Sequence, residues 1–314
     1  MRILVVGAGG IGGYFGGRLL EAGLDVTLLV RGRRAKELAR TGLAIRSALG
    51  DVQIPAPPTV TAECLSGAFD VILLSCKAFD LAGAMNAFAP AVGPATAILP
   101  LLNGMAHLDA LQTRFGGEHV LGGQCLISTT LDPEGRILHL NDAHSLSFGE
   151  RDGSRSRRAE AIASAFSGAR FETRLSQAIL QEMWEKWVFI ATGAGLTCLM
   201  RAAIGDIAAA GAADLATALL DECAAIAARQ GFPPSETAMQ RSRATFTASG
   251  SALTASMLRD IERGAPIEAD HIVGDLLRRS GNDGGPSSLL RTAYLHLKTY
   301  EARRVREASL ARAA

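Results

Sequence analysis

One junction limits what this chain can fold into more than any other. The run Arg2–Val6 (RILVV) has the character of a buried strand. It is followed at once by Gly7–Gly12 (GAGGIG) and then by a helical pattern, YFGGRLLEAG. Alone, a G-x-G-x-x-G is a weak signal. Here it directly follows a strand and opens a helix, and a second strand, Asp25–Val30 (DVTLLV), comes at the spacing of one βαβ unit, so the context predicts a dinucleotide-binding turn. Gly7 permits the tight turn, Gly9 lets the backbone approach a pyrophosphate, and Gly12 allows the helix to pack closely on the strand. The helix N-terminus at Gly10 and Ile11 offers N–H groups to phosphates. The plainer alternative is a glycine-rich turn that binds nothing. Gly23, after LLEA, reads as a left-handed helix terminator.

The second strand ends in LLVRGRR. An NAD site usually places an acid there to accept from the ribose hydroxyls. This chain places Arg31, with Arg33 and Arg34 close behind, which suits a 2′-phosphate and predicts NADPH as the coenzyme. A solvated basic loop is the competing reading. Two more strand ends face the same edge. LLSCKAFD puts Lys77 just after the strand in Asp70–Ser75, and LPLLNGMAHLDAL puts Asn103 between a strand (Ala97–Leu102) and a helix. A solvated lysine and an Asn-Gly turn fit these strings equally well.

Strands alternating with helices predict an α/β fold with a parallel, doubly wound sheet. Further on, ILHL and SLSFG, separated by NDAH, read as two antiparallel strands finishing that sheet, and a helix follows in AEAIASAF. Near Ser176 the pattern changes to almost continuous helical periodicity, broken at Gly211, GFPPS, GAP and NDGGPSS. The expectation is a Rossmann-type domain over residues 1–175 and an all-helical domain over 176–314, ending in a charged, fraying tail.

At 314 residues there is room for both. The net charge of +1 and 5 % aromatic content give no reason to expect nucleic acid or an anionic membrane as a partner. The uncharged stretch from Trp187 to Met200 is shorter than the ~20 residues of a membrane helix. No signal-peptide pattern precedes the glycines. The five cysteines lack any Cys-x-x-Cys and the six histidines lack metal-ligand spacing, which predicts reduced thiols, a cytoplasmic protein and no metal. Alanine-rich helical surface makes a homodimer an open expectation.

QEMWEKWVFIATGAGLTCLM (Gln181–Met200) sets Lys186 between two tryptophans at the head of the most apolar helix. Glu182 and Lys186 form an i, i+4 pair in the favourable order, which by itself would explain the lysine as half of a surface ion pair. A partly desolvated lysine is also suited to proton transfer. Glu268 follows the breaker Gly264-Ala265-Pro266 and reads as an acid in a helix's first turn, favoured there by the macrodipole. Ser256 reads as lying inside a helix.

Taken together in order and spacing, ILVVGAGGIGG, LLVR, SCKAFD, LNGM, EMWEKW, ASMLRDIERG and PIEADHIVGDLLRR make the chain resemble the ketopantoate reductase (2-dehydropantoate 2-reductase) family nearly end to end. The resemblance implies NADPH-dependent reduction of a small-molecule 2-keto acid, in the family's case ketopantoate to pantoate in pantothenate biosynthesis. It implies that Lys186 is the catalytic lysine, hydrogen-bonded to the keto oxygen, and that Asn103 keeps lysine, substrate and nicotinamide in register. Ser256 and Glu268 match the family's substrate-binding residues, and Arg31 and Lys77 its coenzyme-binding pair. One departure stands out. The family's Lys-x-x-x-Asn-x-x-x-Asn is here Lys186, Ile190 and Ala194. These share one helix face, so the substrate-binding wall beside the lysine becomes apolar. The expectation is a substrate with a more apolar group in place of the hydroxymethyl end. The β-hydroxyacid dehydrogenases, which also join a glycine loop to a helical-domain lysine, are a rival. A non-catalytic NADPH-binding regulator is another.

Overall fold

The computed structural model describes residues 1–281, 285 and 287–313. Among the described residues ten strands run in order: β1 Arg2–Val6, β2 Asp25–Leu29, β3 Leu43–Arg46, β4 Val52–Ile54, β5 Thr59–Val60, β6 Val71–Leu74, β7 Ala97–Pro100, β8 Gly122–Leu131, β9 Ile137–Gly149 and β10 Glu172–Leu175. The chain forms two compact units. One holds residues 1–102 and 107–180, the other residues 103–106 and 181–314.

The first unit carries a five-stranded sheet in the order β5-β2-β1-β6-β7, with every pairing parallel. Strands β1 and β6 show why continuous apolar runs fold this way. Ile3 to Val6 and Val71 to Leu74 are all buried, so both faces of these strands are covered. The winding reverses between β1 and β6, which is where a doubly wound sheet opens a crevice at its strand carboxyl ends.

The antiparallel expectation for ILHL and SLSFG needs correcting. Both runs belong to the single strand β9, and its antiparallel partner is β8. NDAH is not a turn. Between the pairs Ile127–His144 and Thr129–His139 the ladder slips, so residues 140–143 bulge opposite Ser128. The bulge is stapled from within. The Asn141 side chain accepts from the Ser128 N–H at 2.8 Å, and the His139 ring meets the Ala143 carbonyl at 3.0 Å. Polar side chains that read as a turn instead satisfy the backbone groups that the slip leaves unpaired. Nor do these strands finish the parallel sheet. They belong to a second sheet, β10-β9-β3-β4 with β8 on β9, and just ahead of β8 Val120 bridges to Ile98 of β7.

The second unit is helical, with helices at Ile204–Ala209, Ala213–Arg229, Glu236–Phe246, Ser256–Glu262, Asp275–Arg278 and Leu289–Ala313, and most of the long helix Ile179–Met200. A wider π-turn covers Asp270–Gly274 and runs directly into Asp275–Arg278. Glu222 caps the last long helix by accepting from the Leu289 and Leu290 N–H groups at 3.0 and 3.1 Å. The break expected at NDGGPSS falls on residues 282–284 and 286, outside the described residues. Among the described residues, no helix is long and apolar enough to cross a membrane.

Trp187 pins this unit. It is fully buried, and its indole N–H donates to the Ile272 carbonyl at 2.8 Å. Its ring lies 4.8 Å from that of Trp184, and the Arg279 guanidinium stands 5.7 and 5.9 Å from the two rings. Trp187→Phe would strand a buried carbonyl and leave a void. It is expected to cost about 1–3 kcal/mol in denaturant unfolding of the helical unit. A loss below about 0.5 kcal/mol would show that Ile272 finds another donor.

Candidate active site

The glycine turn has the geometry that a dinucleotide requires. Gly7 has φ +94°, a left-handed value. A side chain at Gly9 would point into open space, with no atom within 4 Å, so the backbone can be approached there. At Gly12 a Cβ would sit 2.1 Å from both the Gly7 carbonyl oxygen and the Ser75 Oγ, so only glycine fits. Ser75, just past β6, donates to the Val6 and Gly7 carbonyls at 3.0 and 3.2 Å and ties β6 to the turn. Beside Gly10 lies Thr129 of β8, whose Oγ1 would be 2.6 Å from an added Cβ. Ile11 is half-buried on the same first turn of the helix Gly10–Glu21. The turn therefore fits a pyrophosphate, with Ser75 and Thr129 as neighbours that the sequence did not single out.

The three arginines after β2 have different fates. Arg31 is exposed and donates to the Asp80 carboxylate at 2.5 Å. Arg34 is turned inward, donating to the Ala8 carbonyl at 3.1 Å and the Gly135 carbonyl at 3.0 Å. Arg34 thus supports the turn from below, and Arg31 and Arg33 remain at the surface. Lys77 is exposed directly before the turn Ala78–Asp80. Among the described residues, no group of three or more His, Cys, Asp or Glu could hold a metal ion.

Asn103, Lys186, Ser256 and Glu268 all fall within the helical unit, because residues 103–106 pack with it. Asn103 is half-buried in a tight turn with Gly104, whose φ is +78°. A Cβ on Gly104 would meet the His271 carbonyl at 2.9 Å and its ring at 3.2 Å, and the ring hydrogen-bonds the Asn103 backbone. Next to His271 is Ile272, the residue that accepts from Trp187. Next to Trp187 is Lys186, which is half-buried. One sequence expectation shifts here. Glu268 does not lie in the first turn of its helix. It precedes the helix, and its carbonyl accepts the first N–H, from Ile272, at 3.0 Å, because the chain is still leaving the Pro266 turn at that point. Ser256 lies within its helix as expected, as the first residue, and is exposed. Its neighbour Ala255 donates its N–H to the Thr197 Oγ1 at 3.3 Å. Thr197 follows Lys186 by three turns on one face of the helix, about 16 Å along its axis. Ile190 on that face is half-buried, and Ala194 is buried at 3 % exposure.

His271 is the residue of this cluster that periodicity could not reveal. Burial pushes its ring below the ordinary value of 6.5, against the opposing pull of Glu268, Asp275 and the Asn103 backbone. The sign follows from linkage. Below pH 6.5 the unfolded chain binds a proton that the folded ring resists, so stability falls as pH drops and levels off once the folded ring is also charged. His144 in the first unit is shifted the same way by burial, His139 and Arg18. The thermal midpoint is expected to fall between pH 7 and about 5.5, with a shallower fall in His271→Gln. An unchanged slope in that variant would assign the effect elsewhere.

Two family models match the chain: ketopantoate reductase PanE/ApbA over residues 3–153 and its C-terminal counterpart over residues 178–301. An uncharacterized oxidoreductase of Bacillus subtilis, YkpB, is 39 % identical over 303 residues, covering 96 % of this chain and 99 % of that one. The 2-dehydropantoate 2-reductase of Mesorhizobium japonicum is 29 % identical, covering 87 % and 89 %. The crystal structure of 2-dehydropantoate 2-reductase from Methylococcus capsulatus superposes with a TM-score of 0.85 at 28 % identity, covering 97 % of this chain and 98 % of that one. This chain belongs to the ketopantoate reductase family and is an oxidoreductase of that family.

Proposed function

We propose that this chain reduces a 2-keto acid to the 2-hydroxy acid with NADPH. The observation that carries the reading is the clustering inside the helical unit. Lys186, Asn103 and Glu268 are all close chain neighbours of residues in one pinned contact, where Trp187 holds Ile272 and His271 carries the Asn103 turn. An ammonium, an amide and a carboxylate carried by segments that meet at one buried anchor are the group types that polarising and protonating a carbonyl requires.

NADPH, when bound, supplies the hydride that the keto carbon accepts. The glycine turn receives the pyrophosphate, and Arg31 and Lys77 receive the 2′-phosphate. The Lys186 ammonium donates to the keto oxygen and gives up a proton as negative charge grows there. Asn103 holds the carbonyl in register, and Glu268 and Ser256 bind the rest of the substrate. The apolar Ile190 and Ala194 leave no amide on the Lys186 face to pair with a substrate hydroxyl. An unpaired hydroxyl costs about 1–3 kcal/mol in a buried site. This favours a 2-keto acid with an alkyl side chain over ketopantoate.

Two measurements test the reading. Lys186→Ala is expected to lower kcat by roughly 10²-fold or more while leaving NADPH affinity nearly unchanged, and activity kept within about tenfold would remove the lysine from the acid's role. Across a panel of 2-keto acids, kcat/KM is expected to be higher for alkyl-substituted substrates than for ketopantoate. The opposite order would overturn the apolar-substrate reading while leaving the reaction class standing.

A further inference from the structure

The Arg31–Asp80 contact spans the coenzyme end of the sheet. Arg31 follows β2 and Asp80 follows β6, the two strands that flank β1. The pair therefore bridges the sheet beyond the carboxyl end of β1, the strand that leads into the glycine turn. With a pyrophosphate on that turn, the adenosine ribose of a dinucleotide lies toward the end of β2. Asp80 is held in place by its own turn, its N–H donating to the Lys77 carbonyl at 2.9 Å. Its carboxylate reaches the Arg31 guanidinium at 2.5 Å.

These two side chains suit opposite coenzymes. A guanidinium recognises a 2′-phosphate. A carboxylate accepts from a ribose diol, the task usually given to an acid at the end of the second strand. In this chain that position holds Arg31, and an acid is delivered to the same place from across the sheet. A 2′-phosphate must draw Arg31 away from Asp80 and then sit near a like charge. An unphosphorylated ribose meets neither obstacle. It finds an acceptor in Asp80, with Arg31 already neutralised.

We propose that Asp80 is a coenzyme-specificity residue, which narrows the preference for NADPH and lets the enzyme use NADH at a measurable rate. This rests on the reading of Arg31 as the phosphate ligand. The Arg31 side chain is 77 % exposed and that of Asp80 34 %. An ion pair this open is weak, so the effect expected of it is a few-fold to about tenfold.

The test is the binding of NADPH and NADH to the full chain by titration calorimetry, together with kcat/KM for each coenzyme against one 2-keto acid. Asp80→Asn is expected to tighten NADPH and weaken NADH, moving the ratio of their dissociation constants toward NADPH by roughly tenfold. A ratio unchanged within about twofold would overturn the proposal. Arg31→Ala, measured alongside, separates the two levels. If it weakens NADPH strongly while Asp80→Asn changes nothing, Asp80 alone has been misread. If it leaves NADPH affinity intact, the phosphate role of Arg31 falls, and the proposal falls with it. Binding of neither coenzyme would overturn the coenzyme assignment itself.

Discussion

At Gly12 the backbone of a helix touches the backbone of the turn before it, leaving no room for a single carbon atom. Much of the first unit follows from that contact. It brings the start of the helix Gly10–Glu21 against the end of β1, and the Ser75 hydroxyl locks β6 onto the same turn. The reversal of winding between β1 and β6 then becomes a fixed edge, with Gly9 open, Thr129 beside Gly10 and Arg34 beneath. A looser turn would leave these groups without a common reference point. The contact is repulsive in origin, a steric exclusion, yet it orders the attractive ones around it.

The helical unit is organised by a different kind of constraint. The π-turn at Asp270–Gly274 is gripped along its length. Tyr294 and Lys298 donate to the Asp270 carboxylate at 2.6 and 2.9 Å. The Asn103–Gly104 turn rests on His271, Trp187 donates to Ile272, and the Tyr294 ring covers Gly274 so closely that a Cβ would meet it at 2.7 Å. A π-turn is rare and tends to occur at functional sites, and here its surroundings grip it. Here those surroundings are the neighbours of Lys186, Asn103 and Glu268. The π-turn and the candidate chemistry occupy one place. The unit's two cysteines, Cys198 and Cys223, are both buried, and burial raises their thiols to about 12 and keeps them inert.

Local chemistry wrote much of this into the chain. The glycine spacing foretold the turn, because only glycine tolerates a left-handed φ at Gly7 and zero clearance at Gly12. Continuous apolar runs foretold buried parallel strands, and the change of period near Ser176 foretold helices. The reading failed where a residue's role depends on a partner far away in sequence. NDAH looked like a turn because Asn and Asp favour turns, yet β8 recruits it as a bulge. Arg34 looked like a companion of Arg31 and faces the other way. His271 gave no signal, since its role exists only through Asn103, more than 160 residues earlier.

The sequence by itself therefore determined most element types, the glycine turn and the family, because each rests on short-range sterics or on the order of motifs along one chain. Tertiary structure decided which charges meet. It joined Arg31 to Asp80 across the end of β1, moved residues 103–106 into the helical unit, and set Glu268 ahead of its helix rather than within it. These outcomes depend on how separate segments pack, and a one-dimensional pattern carries no term for the distance between them.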